Sequence, residues 1–140
     1  MNELENTQLV RNTYELFRKG DESFLKGFSD DISWELPEMN NVPYAGKFDG
    51  IEAVTDFFTR LSKAEESLIH NPTEFIAKDD KVIVLGNMKW RVKRTNQEYN
   101  SDFAHVLTVK NGKINGFREF MDTAVRTNAH TAEQAAAVVQ

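Results

Sequence analysis

The sequence FAHVLTVKNGKINGFREFMD, residues 103–122, predicts two antiparallel strands joined by a tight turn. Asn-Gly between runs of alternating apolar residues is a strong signal for a β-hairpin, and here it is Asn111-Gly112. Because side chains alternate along a strand, His105 shares one face of the first strand with three apolar residues. Either register of the hairpin brings His105 close to Glu119 or to a neighbour two residues along.

Outward from this hairpin, the second half of the chain is nearly all strand. Alternation predicts strands at 66–77, 80–94, 98–110 and 113–121, with turns at Asp79-Asp80 and Thr95-Asn96. The first half predicts helices at 4–19, 22–28 and 50–63, a turn at 29–31, a strand at 32–36 and a loop over 37–50. Helices followed by antiparallel strands indicate the α+β class, with a strongly curved sheet wrapped around about three helices. Such a sheet encloses a cone, which is a natural ligand site.

The length of 140 residues fits one domain and is too short for two ordinary ones. We assign residues 1–126 to this domain. Residues 127–140 form an Ala-rich tail that is helical or disordered, and we assign it no function.

Composition excludes several classes of function. The net charge of -5 and the absence of a basic stripe argue against a nucleic-acid partner. The chain has no cysteine, and its three histidines lack metal-ligand spacing, so we expect neither disulfides nor a metal site. No apolar run approaches membrane-spanning length, and the polar N-terminus is unlike a signal peptide, so we expect a cytoplasmic protein without a membrane partner.

Three motifs, in this order and spacing, carry a family likeness over about residues 5–126: FRKGD at 17–21 with Phe24, YAG at 44–46 followed by GIEAV at 50–54, and the hairpin of 103–122. The chain resembles the NTF2-like superfamily, in particular its SnoaL-like, ketosteroid isomerase-like branch. The resemblance implies a cone-shaped pocket for a small hydrophobic molecule, no cofactor, and a homodimer formed through the outer face of the sheet. It does not fix the activity, because the fold hosts isomerases, cyclases, dehydratases, epoxide hydrolases and non-catalytic binders.

The resemblance also places two candidate catalytic residues inside the cone. The position of His105 matches a pocket acid of the ketosteroid isomerases, and that of Glu119 matches a catalytic aspartate of the epoxide hydrolases. Histidine transfers protons both ways near neutral pH, and a carboxylate on one ring nitrogen fixes its tautomer. We therefore expect His105 to act as base or acid, oriented by Glu119. Asp122 is a third candidate, either as an acid at the pocket mouth or as a helix cap or partner of Arg118 or Arg126.

Ten residues are expected to line the pocket: Tyr14, Trp34, Leu36, Tyr44, Phe58, Met88, Trp90, Phe103, Phe117 and Met121. Leu36 stands where ketosteroid isomerases carry their general base, which argues against steroid isomerisation. Gly86, Met88 and Trp90 stand where epoxide hydrolases place an arginine and an aspartate, which argues against that activity. Tyr14 is one residue out of register with the oxyanion tyrosine of the isomerases, so we expect it to pack without donating to a ligand.

Three functions remain open from the sequence. The first is a cofactor-independent isomerase, cyclase, dehydratase or hydrolase that uses the His-Glu pair for proton transfer. The second is a binding module that uses the same pocket without turnover. The third is an interaction domain whose sheet mainly forms a dimer.

Overall fold

A computed structural model confirms the α+β class and describes residues 2–139, with the side chains of residues 2–131. The helices are α1 (Glu3–Arg18), a 3₁₀ helix (Glu22–Gly27), α2 (Ile51–Ala64) and α3 (Thr123–Val139). The strands are β1 (Phe28–Glu35), β2 (Lys47–Asp49), β3 (Glu65–Lys78), β4 (Lys81–Val92), β5 (Glu98–Lys110) and β6 (Lys113–Met121). They form one sheet in the order β2-β1-β6-β5-β4-β3, antiparallel except for the parallel pair of β1 and β6. No helix in the described part of the chain is long and apolar enough to cross a membrane.

The start and end of α1 follow from local sequence. The Asn2 side chain accepts a hydrogen bond from the backbone N–H of Glu5, and the Glu5 side chain caps the N–H of Asn2 in return. After the helix, Gly20 adopts a φ of 73°, which is the left-handed conformation that ends many helices. Between these ends, α1 turns Val10 and Tyr14 toward the core.

The first half of the chain differs from the prediction at two places. β1 begins at Phe28, so the predicted turn at 29–31 lies within a strand. The strand was not predicted because Asp30 and Asp31 are both solvent-exposed, so the alternation typical of a strand is missing there. The irregularity is also visible in the pairing with β6, whose register shifts between Phe28 and Ser33. The predicted loop over 37–50 contains β2, which at three residues is too short to show alternation.

The hairpin of β5 and β6 forms as predicted. Asn111 and Gly112 have φ values of 51° and 75°, which suit a two-residue hairpin turn. The turn pairs Lys110 with Lys113 and Val109 with Ile114, and a one-residue irregularity after Val109 shifts the register. As a result, His105 lies directly opposite Glu119. The predicted face of β5 is buried from Phe103 through Val109, so His105 and Glu119 both point into the cone.

Gly86 on β4 has no side chain, which lets the backbone of β3 and the Phe103 ring of β5 approach it closely. A Cβ at this position would lie 2.4 Å from the carbonyl oxygen of Asn71 and 2.6 Å from the ring of Phe103. Without a side chain there, Phe103 stacks on His105 with ring centroids 4.2 Å apart. Gly86 therefore helps to fix the plane of the His105 ring.

The C-terminal helix α3 closes one side of the cone. Asp122 caps it by accepting hydrogen bonds from the backbone N–H groups of Ala124 and Val125. The domain boundary predicted at residue 126 lies inside this helix, and Ala129 and His130 are buried. Thr95 binds the carbonyl of Ala129 at 2.7 Å, so the turn between β4 and β5 holds the helix in place.

Candidate functional site

A cavity of about 80 Å³ lies between the concave face of the sheet and helices α1 and α2. Both members of the predicted pair, His105 and Glu119, line it. So do most of the residues predicted to bind a ligand, which are Tyr14, Trp34, Leu36, Tyr44, Phe58, Trp90 and Phe117. The lining is mainly aromatic, and the Trp34 and Phe117 rings stack face to face with centroids 3.7 Å apart.

Four predicted residues lie elsewhere. Phe103 stacks on His105, as described above. Met88 is buried on β4 and, together with Asp122, borders a separate depression in the surface. Met121 packs against the core near the end of β6. Asp122 is the cap of α3 and not a lining residue of the cavity, because the chain leaves the sheet at this point to begin the helix.

His105 is held by a hydrogen bond at each ring nitrogen. Its Nε2 lies 2.7 Å from Oε2 of Glu119. Its Nδ1 lies 2.5 Å from the hydroxyl of Tyr14, which the sequence had indicated only as a packing residue. When the imidazole is neutral, the phenol donates to Nδ1 and Nε2–H donates to the carboxylate. Burial, together with the charge of Glu119, raises the pKa of Tyr14 well above its ordinary value, so the phenol stays protonated.

Glu119 is ionised despite being buried. Burial by itself would raise its pKa, but the hydrogen bond from His105 and the charge of Arg126 outweigh burial and lower the pKa to about 2. Arg126 donates from Nη1 to Oε1 of Glu119 at 3.1 Å. The carboxylate therefore carries a full negative charge beside the imidazole at neutral pH.

The polar network continues through Arg126 to a second buried carboxylate, that of Glu65. Arg126 donates from Nε to the hydroxyl of Tyr99, and Tyr99 donates to Oε1 of Glu65. Tyr44 and His130 bind Oε2 of Glu65, the latter at 2.7 Å. Burial lowers the pKa of Arg126, but Glu119, Tyr99 and Glu65 raise it by more, so the guanidinium stays charged. The network is thus satisfied at each of its charged members.

Four members of this network were not among the predicted site residues: Glu65, Tyr99, Arg126 and His130. Two signals point to some of them. Tyr99 is in phase with His105 on β5, so both residues face the same side of the sheet. Arg126, Ala129 and His130 recur at helical spacing, which is typical of one buried helix face.

His70 on β3 also lines the cavity, although it was not among the predicted site residues. Its ring lies 6.0 Å from that of Tyr14 and 6.4 Å from that of His105, measured between centroids. Burial, together with the charge of His105, lowers the pKa of His70 to about 4, so this imidazole is neutral at pH 7. No group of three or more His, Asp or Glu side chains in the described part of the chain is arranged to hold a metal ion.

The fold and the cavity define an NTF2-like protein. The sequence matches the SnoaL-like domain family over residues 10–117, and the chain belongs to this family. An NTF2-like protein from Burkholderia xenovorans LB400 is 31% identical, with a TM-score of 0.83 over 94% of this chain and 99% of that chain. An NTF2-like protein of unknown function from Burkholderia pseudomallei K96243 is 27% identical, with a TM-score of 0.83 over 94% of this chain and 100% of that chain.

One further solved structure is informative about ligands. TerC, co-crystallised with polyporic acid, is 25% identical, with a TM-score of 0.74 over 90% of this chain and 98% of that chain. Among curated proteins, none matches this sequence significantly.

Proposed function

We propose that the chain is a cofactor-independent enzyme that moves a proton to or from a small, mostly apolar carbonyl compound held in the aromatic cavity. The observation that carries this proposal is the pair of buried hydrogen bonds that links Tyr14 to His105 and His105 to Glu119. All three groups line one cavity, and the last of them is a carboxylate that stays charged. The co-crystallisation of TerC with polyporic acid supports a small-molecule function for this chain.

Of the three hydrogen-bonded residues, Tyr14 is the one that contacts the substrate in this proposal. Because both nitrogens of His105 are already engaged by the protein, the imidazole acts through the phenol. A proton leaves the carbon next to the carbonyl for the Tyr14 oxygen while the proton of the phenol passes to Nδ1 of His105. The electron pair of the broken C–H bond moves into the enolate, and the new imidazolium is stabilised by Glu119. Return of the proton to a different atom completes an isomerisation.

The size of the cavity limits the substrate. An engineered apolar cavity that binds benzene measures about 150 Å³, whereas this cavity measures about 80 Å³. A substrate with one ring therefore requires one of the lining rings to move. The half-buried Phe58 and the stacked pair of Trp34 and Phe117 are the rings in position to do so.

Proton abstraction can be measured without knowing the natural substrate. Acetophenone incubated with the protein in D₂O is expected to exchange its methyl protons faster than in buffer, as followed by ¹H NMR. The Tyr14→Phe variant keeps the ring but lacks the hydroxyl, so we expect it to lose roughly 100-fold in the exchange rate, a typical contribution of acid–base catalysis. The matched control is Asn12→Ala, at an exposed position of the same helix, which is expected to exchange at the wild-type rate.

A binding function without turnover is the second candidate. It is favoured by the engagement of both His105 nitrogens within the protein, which leaves the imidazole no free position for a substrate. If the wild-type protein binds acetophenone but accelerates no exchange, the enzyme proposal is wrong and the binding function stands. If Tyr14→Phe exchanges as fast as the wild type, the relay through Tyr14 is wrong.

We also infer a homodimer formed through the outer face of the sheet. Apolar side chains continue across this face from Ile76 on β3 through Ile83 on β4 to Val106 on β5. On β6, Arg118 stands opposite Val106, and Phe120 stands opposite Ala104. Ile76 and Phe120 are 50% and 44% exposed, which leaves two large apolar side chains on the same sheet face uncovered. A second copy of the chain carries the same surface, so the two faces can cover each other.

Sedimentation velocity tests the dimer. We expect the wild-type protein to sediment as a dimer at micromolar concentration and Phe120→Asp to shift it to the monomer, because a charge would be buried at the interface. Leu4→Asp, which changes an exposed leucine on α1, is the control and is expected to stay dimeric. A wild-type protein that sediments as a monomer at micromolar concentration contradicts the inference.

A further inference from the structure

Two indole N–H groups of the cavity wall lack an acceptor. The chain has two tryptophans, Trp34 on β1 and Trp90 on β4, and both line the cavity. Their side chains are buried, with 6% and 4% of their surface exposed. Neither Nε1 atom has a hydrogen-bond partner among the residues that the structure describes. Indole nitrogen is a donor only, so each N–H requires an acceptor from elsewhere.

The rings that surround the indoles do not replace such an acceptor. Phe58 meets Trp34 edge-on at 5.1 Å between centroids, and His70 meets Trp90 edge-on at 6.4 Å. Contacts of an N–H group with a ring face are weak compared with a bond to oxygen. Buried donors are nearly always paired in folded proteins, so two unpaired donors in one cavity indicate a partner that is supplied by the ligand.

The charges of the wall are already balanced within the protein. Glu119 and Arg126, the charged residues at the cavity, bind each other. A charged ligand would therefore bring an uncompensated charge into a buried apolar space, which is strongly unfavourable. The remaining wall consists mainly of ring faces and edges, which favour flat ligands.

From these observations we infer that Trp34 and Trp90 are ligand-binding donors, and that the ligand is an uncharged, planar, conjugated molecule whose carbonyl oxygens accept their N–H bonds. This inference rests on the proposed function, since it assumes that the same cavity holds the substrate. It assigns a chemical class to the substrate: an aryl or conjugated ketone in preference to a hydrocarbon of equal shape. Trp34 and Trp90 stand on strands separated by β6 and β5, so they reach the ligand from different sides of the cavity.

The test compares acetophenone with α-methylstyrene, in which a CH₂ group replaces the carbonyl oxygen at nearly the same shape. Two indole signals are expected in the ¹H–¹⁵N spectrum of the protein, one for each tryptophan. We expect acetophenone to move at least one indole N–H proton downfield, as hydrogen bonding does, whereas α-methylstyrene produces ring-current shifts without this displacement. We also expect acetophenone to bind about three- to tenfold more tightly, the usual effect of one neutral hydrogen bond.

Two tryptophan variants separate the effect of the indole N–H group on binding from the effect of the aromatic ring. Trp34→Phe and Trp90→Phe remove one N–H each and keep an aromatic wall, so the preference for acetophenone is expected to fall toward unity in at least one of them. Binding of α-methylstyrene is the internal control for folding and cavity shape. Equal affinity of the two probes for the wild type, with equal indole shifts, overturns the inference and leaves the proposed cavity function intact. Failure of both probes to bind overturns the proposed function, and the inference with it.

Discussion

Replacing Arg126 with methionine is expected to lower the free energy of unfolding by about 3–5 kcal/mol, the usual cost of removing one partner from a buried ion pair. Arg126 has about 2% of its side chain exposed and lies between two buried carboxylates, those of Glu119 and Glu65. Methionine fills a similar volume but supplies neither the charge nor the hydrogen bonds. Both carboxylates would then share one buried region without a fixed positive charge between them.

Urea unfolding at pH 7 measures this loss, with Arg60→Met as the matched control. Arg60 is exposed on α2, where it pairs with the equally exposed Asp56. The same substitution there is expected to change the free energy of unfolding by less than about 0.5 kcal/mol. If Arg126→Met costs no more than Arg60→Met, the buried network does not hold α3 on the sheet.

The importance of Arg126 shows where prediction from the sequence ends. The hairpin and the inward face of His105 are predictable because they depend on local features: a two-residue turn at Asn111-Gly112 and side-chain alternation. The direct pairing of His105 with Glu119 also depends on the register shift between Thr108 and Val109, which the alternation does not indicate. Arg126 and Glu65 are 61 positions apart in the chain, and they meet only because α3 folds back against the sheet. No periodicity within either segment encodes that docking.

Tyr14 illustrates the same limit on the other side of the cavity. Tyr14 follows Val10 by about one helical turn, and both residues face the core. The hydrogen bond from Tyr14 to His105 joins residues 91 positions apart and depends on the angle at which α1 crosses the sheet. The fold class and the inner face of β5 were thus predictable, whereas the partners that helices bring to the site were not.

Acid is expected to destabilise the protein in two steps, of which the second comes from Glu119. The pKa of Glu119 is about 2 in the folded protein and 4.5 for an ordinary glutamate. Because the folded state binds the proton less readily than the unfolded state, the stabilisation is complete above about pH 4.5 and is lost as the pH falls through 2. This difference in pKa corresponds to about 3 kcal/mol.

The first step comes from His70, whose pKa of about 4 lies below the ordinary 6.5. The folded state therefore binds this proton less readily than the unfolded state, and the fold is destabilised as the pH falls from 6.5 to 4.

Urea unfolding between pH 7 and pH 2.5, for three proteins, separates the two steps. The gap in the free energy of unfolding between wild type and Glu119→Gln is expected to shrink as the pH falls below 4.5, by most of about 3 kcal/mol, because the wild type loses a charge that glutamine never has. His70→Phe removes the loss between pH 6.5 and 4 and leaves the lower step in place, since Glu119 keeps its hydrogen bonds to His105 and Arg126. Glu74→Gln, at an exposed position on β3, is the control and is expected to follow the wild-type curve. A gap between wild type and Glu119→Gln that stays constant over this range means that the buried carboxylate is not held ionised by its two partners, and the charged end of the proposed relay is then lost with it.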